Sequence, residues 1–119
     1  MSEEKLIVVA TEDAFGFEGR VSGQFGHCPF FLLANADGRT VSVSRVLPNP
    51  YSDSDEPDAA PRFIHDLGAD AIIAGGMGPQ AIEMFRSFGI DVATGATGTV
   101  LAVLGAYMRG EHREASPCV

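Results

Sequence analysis

The residues in this chain that are best suited to chemistry are His27 and Cys28, which are adjacent in the stretch 21–31. Imidazole and thiolate groups both bind metals, and a thiolate is also a nucleophile. Adjacent side chains in extended backbone point in opposite directions, so both reach one ligand only if the turn twists. Gly26 before the pair and Pro29 after it would allow such a twist. We therefore predict that His27 and Cys28 are metal ligands in a turn that leads into an apolar strand.

Two other interpretations of this pair stay open. The thiol of Cys28 could be buried as a small apolar group in a purely structural turn. A cysteine nucleophile would need a histidine base, and neither His65 nor His112 has a predicted position near it. One thiolate and one imidazole cannot fill the coordination sphere of a metal cluster. A metal species held this way would suit a carrier, or a site shared in a dimer, better than a permanent cofactor.

Length and charge restrict the class of protein. The chain has 119 residues and a formal charge of −8, and no run approaches the roughly 20 apolar residues of a membrane span. We predict one soluble domain over residues 1–119, with a core at about 5–110 and a loose C-terminal tail at 111–119. The negative charge argues against nucleic acid and anionic membranes as partners. No secretion signal precedes the first apolar run, so we predict a cytoplasmic protein, in which a disulfide between Cys28 and Cys118 would be unusual.

The hydrophobic pattern predicts an α/β domain in which a strand and a hairpin precede alternating helices and strands. A long loop at 11–24 follows the first strand, and the proline-rich acidic segment 47–57 is interpreted as a solvated surface linker, since its acids lack the spacing of a calcium loop. Val41 and Val43 are expected to share one face of the second hairpin strand with Arg45. The predicted elements are strands at 5–10, 29–35, 39–47, 69–74 and 90–93, and helices at 58–67, 79–88 and 100–110.

The strands that begin near residues 5, 69 and 89 are predicted to be parallel neighbours. Ligands of such open sheets bind beyond the carboxyl ends of the strands, where three glycine-containing loops would meet. The second loop opens a helix, whose free N–H groups and dipole favour an anion, although such turns are equally often mere connections. The residues predicted to bind a ligand at this rim are Gly75, Gly76, Met77, Gly78, Thr94, Gly95 and Thr97.

Two of these residues have a structural alternative. Met77 is expected to be exposed in its glycine turn, where its thioether could bind a soft metal or, as we prefer, cover the rim of the core. Thr97 could offer its hydroxyl to a ligand or could cap the last helix.

Enzymatic interpretations are weaker. A magnesium-dependent nuclease on this kind of sheet needs several carboxylates on its strands, and these strands carry almost none. No phosphatase or protease spacing is present. We therefore predict a protein that is not an enzyme.

Three motifs in a fixed order resemble the dinitrogenase iron–molybdenum cofactor biosynthesis family, the NifX-like domain that is also found at the end of NifB. They are Val-Ser-Gly-Gln-Phe-Gly-His-Cys-Pro-Phe-Phe at 21–31, Gly-Gly-Met-Gly-Pro-Gln-Ala at 75–81, and Phe-Gly-Ile-Asp-Val at 88–92, followed by Thr94-Gly95 and a helix ending Ala-Tyr-Met-Arg-Gly at 106–110. The resemblance covers roughly residues 5–112. It implies a three-layer α/β/α domain with a mixed five-stranded sheet of ribonuclease-H-like topology, and a role in binding or delivering iron–sulfur or iron–molybdenum clusters. In that family the position of His27 is frequently arginine and that of Cys28 is often a small residue.

Three functions remain after this reading. The first is a carrier that transiently binds an iron–sulfur or iron–molybdenum–sulfur cluster through His27 and Cys28 and the glycine turns. Its partners would be metallocluster assembly proteins or an apo-acceptor protein, and it would be a monomer or a weak homodimer. The second is a module that binds a small anion, such as a nucleotide or phosphate ester, without metal. The third is a structural partner domain.

Overall fold

The computed structural model describes residues 4–37, 40–54, 56, 58–109 and 113–114. Strands and helices follow one another in the predicted order, and a 3-10 turn at Gly16–Glu18 lies in the first long loop. Within the described ranges, no helix is long and apolar enough to cross a membrane. The elements are β1 (Lys5–Thr11), β2 (Phe30–Asp37), β3 (Thr40–Pro48), α1 (Ala59–Asp66), β4 (Ala71–Ile73), α2 (Pro79–Ser87), β5 (Asp91–Thr94), α3 (Val100–Met108) and β6 (Arg113–Glu114).

The strands form one mixed sheet in the order β3-β2-β1-β4-β5-β6. β4 is parallel to β1 and to β5, whereas β2, β3 and β6 run antiparallel to their neighbours. The predicted parallel set and the predicted hairpin are therefore confirmed, although Gly38 of the hairpin turn lies outside the described residues. The tail was expected to be loose from Glu111, yet β6 pairs with β5, which would otherwise present an unpaired backbone edge. The rest of the tail, with Cys118, lies outside the described residues.

Helices cover both faces of the sheet because β1 is apolar on both sides. Val8 and Ala10 pack in a cluster with α1 and α2, whereas Ile7 and Val9 pack in a second cluster with α3. This is the three-layer α/β/α architecture that the family resemblance implied. Phe85 of α2 is fully buried, and truncating such a side chain to alanine costs about 3–5 kcal/mol.

One face of strand β3 is exposed to solvent, as its alternating sequence predicted. Val41 and Val43 do share a face, but Val46 continues it, and Arg45 does not. The reason is a register shift: Leu33 pairs with Arg45 while Ala34 pairs with Val43, so that one residue of β3 is bulged. A bulge of one residue reverses which side chains face the core.

Candidate functional site

The loops after β1, β4 and β5 are tied together at one rim by backbone hydrogen bonds. The N–H of Gly75 donates to the carbonyl of Ser22, and the N–H of Gly95 donates to the carbonyl of Gly75, each at 2.8 Å. The N–H of Phe25 donates to the carbonyl of Gly76, also at 2.8 Å. The predicted meeting of three glycine-containing loops is therefore confirmed.

Gly75 and Gly95 have an architectural role in this arrangement. Their N–H groups, which we expected to face a ligand, are engaged within the protein. A Cβ at position 75 would lie 2.8 Å from the Cα of Gly23 and 2.9 Å from the carbonyl oxygen of Ser22. The close approach of the first two loops therefore requires glycine at position 75.

A groove of about 590 Å³ opens beside this rim, on the face covered by α1 and α2. Its size is within the range of small-molecule sites, about 300–1,000 Å³. We call it the His27 groove. Its walls are residues 24–27, Tyr51, Ser54, Glu56, Ala60, Pro61 and residues 76–81.

The residues predicted to bind a ligand are divided between two cavities. Gly76, Met77 and Gly78 line the His27 groove. The predicted residues of the third loop, Thr94, Gly95 and Thr97, line a smaller cavity of about 240 Å³ against α3. The division arises because α2 and α3, which follow these two loops, lie on opposite faces of the sheet.

The amino end of α2 supplies hydrogen-bond donors to the groove. Gly78 is the N-cap residue, with extended backbone and no side-chain cap, and Pro79 is the first helical residue, as predicted. Within the described part of the chain, no acceptor is paired with the N–H of Gly78, Gln80 or Ala81. These three residues line the groove, so the positive end of the helix dipole faces it. The first turn of α1 contributes Ala60 to the lining of the same groove.

His27 is exposed and lines the same groove. Its Nδ1 lies 2.9 Å from the carbonyl oxygen of Ser52. Because a carbonyl oxygen only accepts hydrogen bonds, Nδ1 carries the proton, and Nε2 of the neutral ring keeps a free lone pair. His27 is therefore a candidate ligand through Nε2.

Cys28 points away from the groove into the core below α1 and α2, where it is 1% exposed. Burial raises the pKa of its thiol from an ordinary 9.0 to about 11. The thiol therefore stays protonated at neutral pH, whereas metal binding needs the thiolate. Gly26, which has a positive φ, precedes the pair in the turn, and the two side chains that follow it have opposite surroundings, His27 exposed and Cys28 in the core. In this geometry His27 and Cys28 do not converge on one ligand, as we had expected. The position of Cys28 matches the alternative of a structural turn with a buried thiol.

Two further expectations need correction. Met77 is only 1% exposed and belongs to the core, because its side chain turns inward from the glycine turn. It covers the rim of the core, the alternative that we preferred. The cap of α3 is Thr99, whose Oγ1 accepts from the N–H of Ala102 at 3.2 Å. Thr97 is exposed and does not cap the helix.

Asn49, the third residue of the segment 47–57 that was interpreted as a solvated linker, was not among the predicted site residues. Its side chain is 5% exposed, and its Nδ2 donates to the carbonyls of Gly26 at 3.0 Å and Cys28 at 2.9 Å. An asparagine between two prolines does indicate a turn in which the side chain bonds to backbone. No local pattern could have located its partners more than twenty residues earlier in the chain.

The groove combines an imidazole nitrogen, free backbone N–H groups and the exposed carboxylate of Glu56. Among the described residues, no group of three or more histidine, cysteine, aspartate and glutamate side chains could hold a metal ion. Backbone donors and a helix amino end favour an anionic ligand, and the imidazole could bind a metal within it. Such a donor set fits a metal-containing anion better than a bare cation.

Fold and groove together define a small α/β domain with a candidate site for an anion at the rim of the sheet. The family model described as dinitrogenase iron–molybdenum cofactor matches residues 4–110. The chain therefore belongs to the dinitrogenase iron–molybdenum cofactor family, which is linked to the biosynthesis and binding of that cofactor.

Solved structures and one curated protein are similar to this chain. The crystal structure of PH0822 has 33% sequence identity and a TM-score of 0.79, covering 92% of this chain and 95% of that one. The apo form of the orange protein from Desulfovibrio gigas has 23% identity and a TM-score of 0.82, covering 98% of each chain. The uncharacterized protein MJ0580 of Methanocaldococcus jannaschii is 23% identical over 94 residues, which are 77% of this chain and 80% of that protein.

Proposed function

We propose that this protein is a non-enzymatic carrier that transiently binds an anionic metal–sulfur cluster in the His27 groove. The observation that carries the proposal is that free N–H groups at the amino end of α2 and the imidazole of His27 face the same groove. The N–H groups would donate to sulfides of the cluster, and Nε2 of His27 would bind one of its metal ions.

Membership of the cofactor family supports a cluster of the iron–sulfur or iron–molybdenum–sulfur type as the cargo. One imidazole leaves most of the coordination sphere of a metal to other ligands. Binding of this kind would be reversible, which suits a protein that receives a cluster and passes it on. The partners would be cluster assembly proteins or an apo-acceptor protein in the cytoplasm, with the carrier itself a monomer or a weak homodimer.

Anaerobic reconstitution with iron and sulfide, followed by visible absorption and metal counting, tests the proposal. We expect the wild type to retain cluster and the His27→Ala variant to lose most of it. The His65→Ala variant is the matched control, because His65 is an exposed histidine that stacks on Phe88, outside the residues that line the groove. Equal retention by all three proteins would remove His27 from the site, and retention by none would refute the carrier for this cluster.

A second candidate is a module that binds a small anion without metal. The burial of Cys28 favours this candidate, because only His27 of the two predicted metal ligands lines the groove. The groove therefore offers one predicted metal ligand where two were expected. Tetrathiomolybdate and molybdate separate the two functions, since both are tetrahedral dianions but only the first presents sulfur. A metal–sulfur carrier should prefer tetrathiomolybdate, whereas a general anion site should bind the two with similar affinity.

A further inference from the structure

The turn after β3 holds the His27 loop from both sides of the histidine. Nδ2 of Asn49 donates to the carbonyl of Gly26 and to the carbonyl of Cys28, the residues that flank His27. The backbone N–H of Asn49 also donates to the carbonyl of Pro29 at 2.9 Å. The backbone position of His27 is therefore fixed by a residue that lies more than twenty positions later in the chain.

The same turn also orients the imidazole ring. Oδ1 of Asn49 accepts from the N–H of Tyr51 at 2.9 Å, which shapes the turn that presents the carbonyl of Ser52. That carbonyl accepts from Nδ1 of His27 at 2.9 Å. A hydrogen bond to one ring nitrogen sets the tautomer and leaves the other nitrogen as the ligand atom. In a histidine without such a partner, the ring can rotate and nothing holds the proton on Nδ1.

We propose that Asn49 and the backbone carbonyl of Ser52 are positioning groups that direct Nε2 of His27 towards the groove. This inference rests on the proposed function, because it concerns the ligand atom of that site. Neither group lines the groove, so each acts through His27 and not by touching the cargo. Loss of partners that orient a metal-binding histidine typically weakens metal binding by about 10–100-fold.

The first measurement needs no variant. Long-range proton–nitrogen NMR spectra at about pH 8.5, where an ordinary imidazole is neutral, report which ring nitrogen carries the proton. We expect His27 of the wild type to be protonated on Nδ1. A predominantly Nε2-protonated ring would overturn the inference whatever the variants do.

The second measurement compares, in the wild type and in Asn49→Ala, the affinity for the iron–sulfur cluster formed by anaerobic reconstitution with iron and sulfide. Tetrathiomolybdate is not the probe for this comparison, because its molybdenum already has four sulfide ligands and offers Nε2 no metal site. We expect Asn49→Ala to bind about 10–100-fold more weakly and to lose the Nδ1-protonated signature. Val103→Ala is the stability control, because it opens a cavity under α3 on the other face of the sheet and leaves the turn intact. It should keep both the affinity and the tautomer. If Asn49→Ala does not fold, the wild-type tautomer still decides.

The outcomes separate this inference from the proposed function. If the wild type binds and folded Asn49→Ala binds with the same affinity, the positioning role is overturned but the carrier function is not affected. Absence of binding in the wild type refutes the carrier function for this probe, and the positioning role falls with it.

Discussion

The adjacent side chains of His27 and Cys28 have opposite surroundings, and these surroundings determine what each side chain can do. His27 is exposed at the groove, whereas Cys28 is buried with a pKa raised by burial. Their residue types suggested metal binding by both side chains, and for His27 this stays a prediction. Which one reaches a ligand depends on the side of the backbone that faces the core, and that is a property of the packed structure.

Replacing Cys28 should affect stability and leave binding intact. Cys28→Ala removes a buried sulfur that packs below α1 and α2, so we expect a loss of about 1–2 kcal/mol in the free energy of unfolding. Denaturant unfolding measures the loss, and affinity for tetrathiomolybdate should match that of the wild type. A strong loss of affinity in a folded Cys28→Ala protein would contradict the assignment of Cys28 to the core.

The raised pKa of Cys28 also predicts a pH dependence of stability. The unfolded thiol ionises near 9.0 and the folded thiol near 11, so its contribution is present below pH 9 and is lost as pH rises towards 11. A shift of this size corresponds to about 2–3 kcal/mol. Burial raises the pKa of Tyr107 as well, which lowers stability at still higher pH in any variant. The difference between wild type and Cys28→Ala isolates the thiol, and a difference that does not change with pH would contradict its burial.

Glu56 should distinguish an anionic cargo from a cationic one. Its carboxylate is exposed and lines the groove, so it repels an anion and attracts a cation. We expect Glu56→Gln to bind tetrathiomolybdate more tightly, by a factor of about 1.4–5, corresponding to the roughly 0.2–1 kcal/mol of an exposed charge pair. Titration followed by visible absorption measures this. Weaker binding in Glu56→Gln would indicate a site for a cation.

At the level of the elements, the sequence predicted the rim better than the groove. Apolar runs ending at glycine turns identified β1, β4 and β5 and their shared direction, because parallel strands joined by helices place their carboxyl ends together. The same reasoning placed the Gly75 and Thr94 loops in one site. It could not show that the following helices α2 and α3 lie on opposite faces, which puts those loops in different cavities.

Gly75 tests the contact between the first two loops. Gly75→Ala would place a Cβ 2.8 Å from the Cα of Gly23 and 2.9 Å from the carbonyl oxygen of Ser22. Both neighbours are backbone atoms, so the loops must separate, at a cost of about 1–3 kcal/mol. Gly23→Ala is the matched control, because a Cβ there meets nothing within 4 Å. Thermal unfolding compares the two, and equal stability would contradict the close approach of these loops.

For the whole molecule, the net charge of −8 opposes an anionic cargo, while the helix amino end at the groove favours it. Salt screens the long-range repulsion between exposed charges more than it screens contacts within the groove. We therefore expect the affinity for tetrathiomolybdate to rise modestly between low salt and about 0.15 M, where the Debye length is about 8 Å. A steady fall in affinity over this range would show that attraction, and not repulsion, dominates at long range.

We expect a metal–sulfur anion to bind in the His27 groove. Amide NMR spectra of the wild type during titration with tetrathiomolybdate test it most directly, because each loop reports separately. We expect the largest shifts at the N–H groups of Gly78, Gln80 and Ala81 and at His27, with much smaller shifts for molybdate. Shifts centred on Thr94, Gly95 and Thr97, or none at all, would contradict it.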